Sequence, residues 1–154
     1  MLYFWHGGLF IIPKTIAFSR KQEKLRVAAY CRISTNHRKQ VESLAIQRSY
    51  FEIIIRESLN WQFMKVYSDI GSALRTKNRP SYRQMILDGK KGLFDFVLVK
   101  SLSRFGRDTV ETLTQIRKWK QINIGLYAEM EDIDTMKVND SALSIFSCYG
   151  SGRK

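Results

Sequence analysis

The chain has 154 residues and a mass of 18.0 kDa, with 44% hydrophobic, 26% charged and 12% aromatic residues, a composition that fits one globular domain and excludes disordered, collagen-like and disulfide-scaffold classes. Lys and Arg number 26 against 14 Asp and Glu, a formal charge of +12, so a polyanion is the expected partner and nucleic acid its first candidate. Cys31 and Cys148, with His6 and His37, are too few for a disulfide framework or a four-ligand zinc site, which fits a reducing cytoplasm and a protein without metal.

Residues 1–18, MLYFWHGGLFIIPKTIAF, are apolar enough to raise a signal peptide or a membrane span. No basic segment precedes them, and His6, Gly7, Gly8, Pro13 and Lys14 interrupt a run far below the roughly 20 residues a span needs. Residues 1–24 therefore read as an appended or poorly ordered leader, and no membrane partner is expected. From Leu25 onward short β-rich runs alternate with helix-period segments, the mark of an α/β layer fold. Leu25 to Cys31 reads as a buried strand. Val41, Leu44, Ala45, Phe51, Ile55 and Leu59 then recur at helical spacing, which predicts a long amphipathic helix over 41–59. Trp61 to Tyr67 is the second predicted strand, and Asp69 to Arg79 a polar, basic loop with turn residues Gly71, Ser72 and Asn78. Pro80 opens a short helix ending at Gly89. Phe94 to Val99 is a third strand, Asp108 or Thr109 caps a helix through about Lys120, and Ile122 to Ala128 is a fourth strand followed by the acids of Glu129 to Asp134. No internal repeat or low-complexity tract is present.

Ligands in open α/β sheets bind beyond the carboxyl ends of the strands. The loops that follow the first three strands carry Arg32, then Arg75, Lys77 and Arg79, then Lys100, Arg104 and Arg107. Guanidinium forks match phosphate oxygens, so a phosphodiester is the expected guest of three loops that converge with this much arginine. Ser34, just after the first strand, is the hydroxyl best placed for covalent chemistry on that phosphate. No histidine is firmly placed as its base, which argues against a Ser-His-Asp pattern and for activation by the guanidinium groups. Ser43 reads instead as a helix-cap or turn serine.

Spacing removes two competitors. A dinucleotide-binding fold needs G-x-G-x-x-G after the first strand, where this chain has Cys31-Arg32-Ile33-Ser34-Thr35-Asn36. A cysteine phosphatase needs an arginine six residues after its cysteine, where His37 stands. Cys31 accordingly reads as a small core hydrophobe.

Five segments in order, Val27-Ala28-Ala29-Tyr30-Cys31-Arg32-Ile33-Ser34-Thr35, Ser43-Leu44-Ala45-Ile46-Gln47, Tyr67-Ser68-Asp69-Ile70-Gly71, Arg79-Pro80 and Lys100-Ser101-Leu102-Ser103-Arg104-Phe105-Gly106-Arg107-Asp108, resemble the signature of the resolvase/invertase serine recombinases. The resemblance runs from about Leu25 to about Asp140 and is nearest to the large serine recombinases of mobile elements, because Ser103 stands where small resolvases usually carry aspartate. It implies a resolvase-like α/β fold of three layers, with a central, mostly parallel sheet of four to five strands flanked by helices.

Carried over residue by residue, the resemblance implies that Ser34 attacks a DNA phosphodiester and becomes a 5′-phosphoseryl link. It implies that Arg32, Arg104 and Arg107 bind the scissile phosphate, that Arg79 is a fourth arginine on a mobile loop, and that Gln47 helps orient the site. Arg75, Lys77 and Lys100 are expected to contact DNA. No cofactor and no metal are implied, and family members work as dimers or tetramers on DNA. The family continues past Asp140 into a long helix, and residues 141–154 read as its truncated start, so only weak self-association is expected of this chain. Asp69-Ile70-Gly71-Ser72-Ala73-Leu74 also lacks the second glycine common in relatives. The reading is thus a catalytic domain, 25–140, of a site-specific DNA recombinase encoded by a bacterial or mobile-element gene. Its rival is an inactive fragment of the same fold that only binds DNA or an intact recombinase, and a third reading is an α/β phosphate-binding protein outside DNA metabolism.

Overall fold

One strand, β3 (Leu25–Ile33), is buried on both faces over Val27 to Ile33, and the other elements are arranged around it. The computed structural model describes residues 3–5, 8–10, 23–34, 38–71, 79–106, 108–139 and 141–142. Before β3, β1 (Tyr3–Trp5) and β2 (Gly8–Phe10) pair as an antiparallel ribbon with Tyr3 opposite Phe10; the rest of the segment from 1 to 22 lies outside the described residues. After it come α1 (Arg38–Glu57), β4 (Trp61–Ile70), α2 (Pro80–Lys90), β5 (Phe96–Val99), α3 (Leu102–Phe105), α4 (Thr109–Gln121), β6 (Gly125–Ala128) and β7 (Ile133–Asp134).

The main sheet has the order β4-β3-β5-β6-β7, parallel except for the antiparallel β7. Alternation along β3 sorts the core into two layers. Val27, Ala29, Cys31 and Ile33 pack with Leu44, Phe51 and Ile55 of α1 on one face. Ala28 and Tyr30 pack with Tyr82 and Met85 of α2 and Ile116 and Trp119 of α4 on the other. The result is the expected three-layer α/β fold with helices on both sides of a mostly parallel sheet.

Boundaries differ from the sequence reading where pairing outweighs local polarity. β4 runs three residues past Tyr67, because Ser68, Asp69 and Ile70 continue the parallel ladder opposite Cys31, Arg32 and Ile33. α1 starts at Arg38, so Ser43 lies inside the helix, where its Oγ accepts from Gln47 Nε2 at 3.3 Å, and is not a cap. β6 starts at Gly125, since Asn123 takes a left-handed φ of 58° in the turn after α4. The short α3 and β7 were not foreseen. The two helix starts read from the sequence are present: Pro80 begins α2 as its first residue, and the Asp108 carboxylate caps α4, accepting from Glu111 N–H at 2.7 Å. No helix among the described residues is long and apolar enough to cross a membrane.

α2 is fastened to β4 by a buried pair. Tyr67 Oη donates to Asp88 Oδ2 at 2.6 Å, and Gln84 Nε2 donates to Oδ1 at 2.7 Å. The Tyr67 hydrogen bond, opposed by burial, holds the Asp88 carboxyl below its ordinary range, and burial pushes the Tyr67 phenol up. A carboxylate with a depressed folded pKa adds stability that is present above its unfolded value, near 4, and lost as pH falls through the folded one. Tyr67→Phe is therefore expected to lower stability at pH 7 by about 1.5–3 kcal/mol. Its deficit against the wild type should shrink as pH falls below about 4, which urea unfolding of both proteins between pH 7 and pH 2 will measure.

Candidate active site at the carboxyl edge of the sheet

β3 delivers two of the candidate positions, two residues apart. Arg32 is its last polar residue, only 6% exposed, and Ser34 follows the strand in an exposed position. The Arg32 guanidinium is turned onto backbone carbonyls of two other loops. Nη1 donates to Gly71 O at 2.8 Å, Nη2 to Ser103 O at 3.2 Å and Nε to Arg104 O at 3.2 Å. One side chain thereby gathers the ends of β3 and β4 and the α3 turn, the same three loops whose arginine content drew attention in the sequence.

The α3 turn is itself held from below. Ser101 Oγ accepts from Arg104 N–H at 3.3 Å and lies 2.9 Å from Ser103 Oγ, while both carboxylate oxygens of Glu131 lie 3.2 Å from Leu102 N–H. Gly106 closes the turn, and a Cβ there would meet Thr112 Oγ1 at 2.2 Å, so only glycine fits. Arg104 is half-buried, and among the described residues its guanidinium has no hydrogen-bond partner. Arg107, Arg75 and Lys77 lie outside the described residues.

Beside Arg32 lies a second, fully buried polar group. Asp69 Oδ1 accepts from Ser81 N–H at 2.9 Å, and Oδ2 accepts from Tyr82 N–H at 2.9 Å and from Tyr30 Oη at 3.0 Å. The carboxylate caps α2 from the neighbouring strand, which satisfies amides that Arg79 at the N-cap leaves without a side-chain acceptor. Arg79, 3% exposed, donates from Nε to Tyr30 Oη at 3.0 Å and from Nη2 to Phe105 O, with its guanidinium carbon 3.8 Å from the Tyr82 ring centroid. Burial pushes the Tyr30 phenol up and the Tyr82 phenol up to about 12, so both are neutral donors or ring faces at physiological pH. Tyr30, Asp69, Tyr82 and Glu131 were not singled out from the sequence. The available signal was an acid at the end of an apolar strand that also carries a tyrosine neighbour.

The remaining candidates lie around this centre. Gln47 sits half-buried in α1, and its Oε1 is buried with no partner among the described residues. Lys100 Nζ is 3.0 Å from Glu129 Oε2, whose other oxygen accepts from Tyr50 Oη at 2.5 Å. Cys31 is 1% exposed and burial pushes its thiol up to about 12, so it packs as an unreactive core side chain. No cluster of His, Cys, Asp and Glu able to hold a metal occurs among the described residues.

The family model described as "Resolvase, N terminal domain" matches residues 27–148. The N-terminal catalytic domain of TP901-1 integrase is similar to the chain, at 26% identity and a TM-score of 0.67 over 82% of this chain and 93% of that one. A resolvase family site-specific recombinase from Streptococcus pneumoniae is similar at 27% identity and a TM-score of 0.67, over 83% and 89%. The C-terminal catalytic domain of ISC1926 TnpA, an IS607-like serine recombinase, shares the fold at 19% identity and a TM-score of 0.61, over 82% and 80%. No curated protein sequence matches.

The buried setting of Arg79 changes what its replacement should do. On a mobile loop a lysine would be tolerated; here a lysine cannot supply two directed donors and a planar face against Tyr82. Arg79→Lys is expected to cost about 1.5–3 kcal/mol of stability, and Asp69→Ala at least as much because it strips three donors of their acceptor. Thermal unfolding of both variants beside the wild type checks the order, and an unchanged Arg79→Lys midpoint would remove Arg79 from the buried network.

Proposed function

Because this chain belongs to the resolvase family, whose N-terminal domains are the catalytic modules of site-specific DNA recombinases that cut and rejoin DNA strands, we propose that Ser34 is its nucleophile and that Arg32, Arg104, Arg107 and Arg79 serve the scissile phosphate. The observation that carries this reading is the convergence on Arg32. Its bonds to Gly71, Ser103 and Arg104 draw the half-buried Arg104 toward the strand end from which exposed Ser34 projects. A rigid, doubly buried strand beneath an exposed hydroxyl is what preorganised attack requires.

In the step proposed, the Ser34 Oγ–P bond forms as the P–O3′ bond breaks. The serine proton is given up and the departing O3′ takes one, leaving a 5′-phosphate on Ser34 and a free 3′-hydroxyl. Attack by a 3′-hydroxyl of a recombined strand reverses these bond changes and releases the serine, so the phosphodiester energy is conserved and no nucleotide is consumed. Guanidinium donors aimed at the non-bridging oxygens stabilise the phosphorane more than the ground-state diester. In this reading the arginine field also lowers the cost of deprotonating Ser34. Gln47 orients the site in this reading. Arg75 and Lys77 contact flanking DNA, and Lys100 does so on exchanging Glu129 for a phosphate. The active assembly on DNA is a dimer or tetramer working in the cytoplasm.

Ser34→Ala is expected to abolish covalent attachment to a suicide duplex while leaving the unfolding curve in place, because one exposed hydroxyl is lost. Electrophoresis under denaturing conditions reads the phosphoseryl adduct, and an adduct formed at the wild-type level by Ser34→Ala overturns the nucleophile assignment. Wild-type protein that binds the duplex without any adduct favours the binding-only alternative. Arg104→Lys should lower the cleavage rate by on the order of 10²-fold or more, since a point charge does not reproduce the fork. Single-turnover cleavage measures it.

A further inference from the structure

The outer edge of β4 carries a groove that the catalytic reading does not use. β4 is an edge strand, and its ladder is broken by a bulge: Val27 pairs with Phe63 and Ala29 with Val66, so Met64 and Lys65 together oppose Ala28. At this bulge a cavity of about 410 Å³ opens between α1, β4 and α2, lined by Arg48, Lys65, Ser68, Pro80, Ser81 and Gln84 among others. Arg48 Nη1 donates to Ser68 Oγ at 3.0 Å, and Lys65 Nζ stands 4.8 Å from the Tyr67 ring centroid, so both cations are partly ordered at the groove wall. The neighbouring carboxylate, Asp88, is buried and already accepts from Tyr67 and Gln84. The lining therefore offers two cations with hydroxyl and amide donors.

We propose that this groove binds the phosphate backbone of the DNA duplex flanking the exchange point. The proposal rests on the recombinase reading and adds a contact to it. A peptide strand is the other natural occupant of a sheet edge, but a bulge, a lysine and a proline at the rim are the features that block strand addition. Electrostatics favours a polyanion, both locally and through the +12 charge of the chain. The position also suits one. Ser68 pairs with Cys31, three residues before Ser34; at about 3.3 Å per residue along a strand and about 4.8 Å between strands, the groove starts roughly 11 Å from the Ser34 backbone. That is about three base-pair steps of 3.4 Å along a duplex, so one strand can reach both places.

The test uses the whole chain carrying Ser34→Ala, so that no chemistry follows binding, and measures affinity for a duplex across a salt series. Each phosphate contact contributes about 0.9 to the slope of log affinity against log salt. Arg48→Gln with Lys65→Gln should reduce that slope by about 2, and each substitution alone by about 1; the single variants serve if the double variant unfolds. Lys118→Gln, exposed on α4 away from the groove, should leave it unchanged. An unaltered slope in the groove variants overturns the proposal, as does an equal loss from Lys118→Gln, which would mean diffuse attraction. Covalent trapping by the chain with Ser34 intact is measured separately. A positive trap with an unaltered slope removes the groove alone, and an absent trap with a reduced slope removes the Ser34 reading alone.

Discussion

A carboxylate enclosed in a protein interior must be satisfied by several donors at once, and in this molecule that requirement organises the working edge. Asp69 takes hydrogen bonds from Tyr30 on β3 and from Ser81 and Tyr82 at the start of α2. Each of these interactions is made out of reach of water, so each missing donor would leave a buried acceptor unsatisfied. These bonds tie the start of α2 to the end of β4. Arg79 is then committed, because its guanidinium fills the space between the Tyr30 hydroxyl, the Tyr82 ring and the Phe105 carbonyl.

Arg32 extends the same logic one residue from Ser34. Its three bonds to carbonyls of Gly71, Ser103 and Arg104 convert separate loops into one surface. The family chemistry asks arginines to hold a phosphate, whereas here the buried arginines hold backbone. Glu131 and Ser101 brace the same α3 turn from beneath.

Charge is likewise distributed by structure and not by composition alone. The acids after β6 are drawn into local contacts. Glu129 binds Lys100 and Tyr50, Glu131 binds the Leu102 amide, and Asp132 accepts from Tyr127. Burial pushes the Glu129 carboxyl up, but the hydrogen bonds from Tyr50 and Lys100 outweigh it and hold the group below the ordinary carboxylate range. Over the whole chain the bases outnumber the acids by 12, which is the balance that attracts a polyanion.

The sequence by itself determined the layer class, the parallel alternation of strands and helices, the helix starts at Pro80 and Asp108, and the arginine-rich loops beside Ser34. These are legible because they depend on local periodicity and on residue chemistry within a few positions. Tertiary structure alone decided that Ser68 to Ile70 belong to β4, since a polar triplet joins a strand only when a neighbour such as β3 pairs with it. It also decided the four-residue α3 and the two-residue β7, too short for any period to register. The side-chain hydrogen-bond partners of Asp69, Arg32 and Arg79 lie 12 to 72 residues away in the chain, and a hydrogen bond across that separation is set by sheet order and helix docking, which no local pattern encodes.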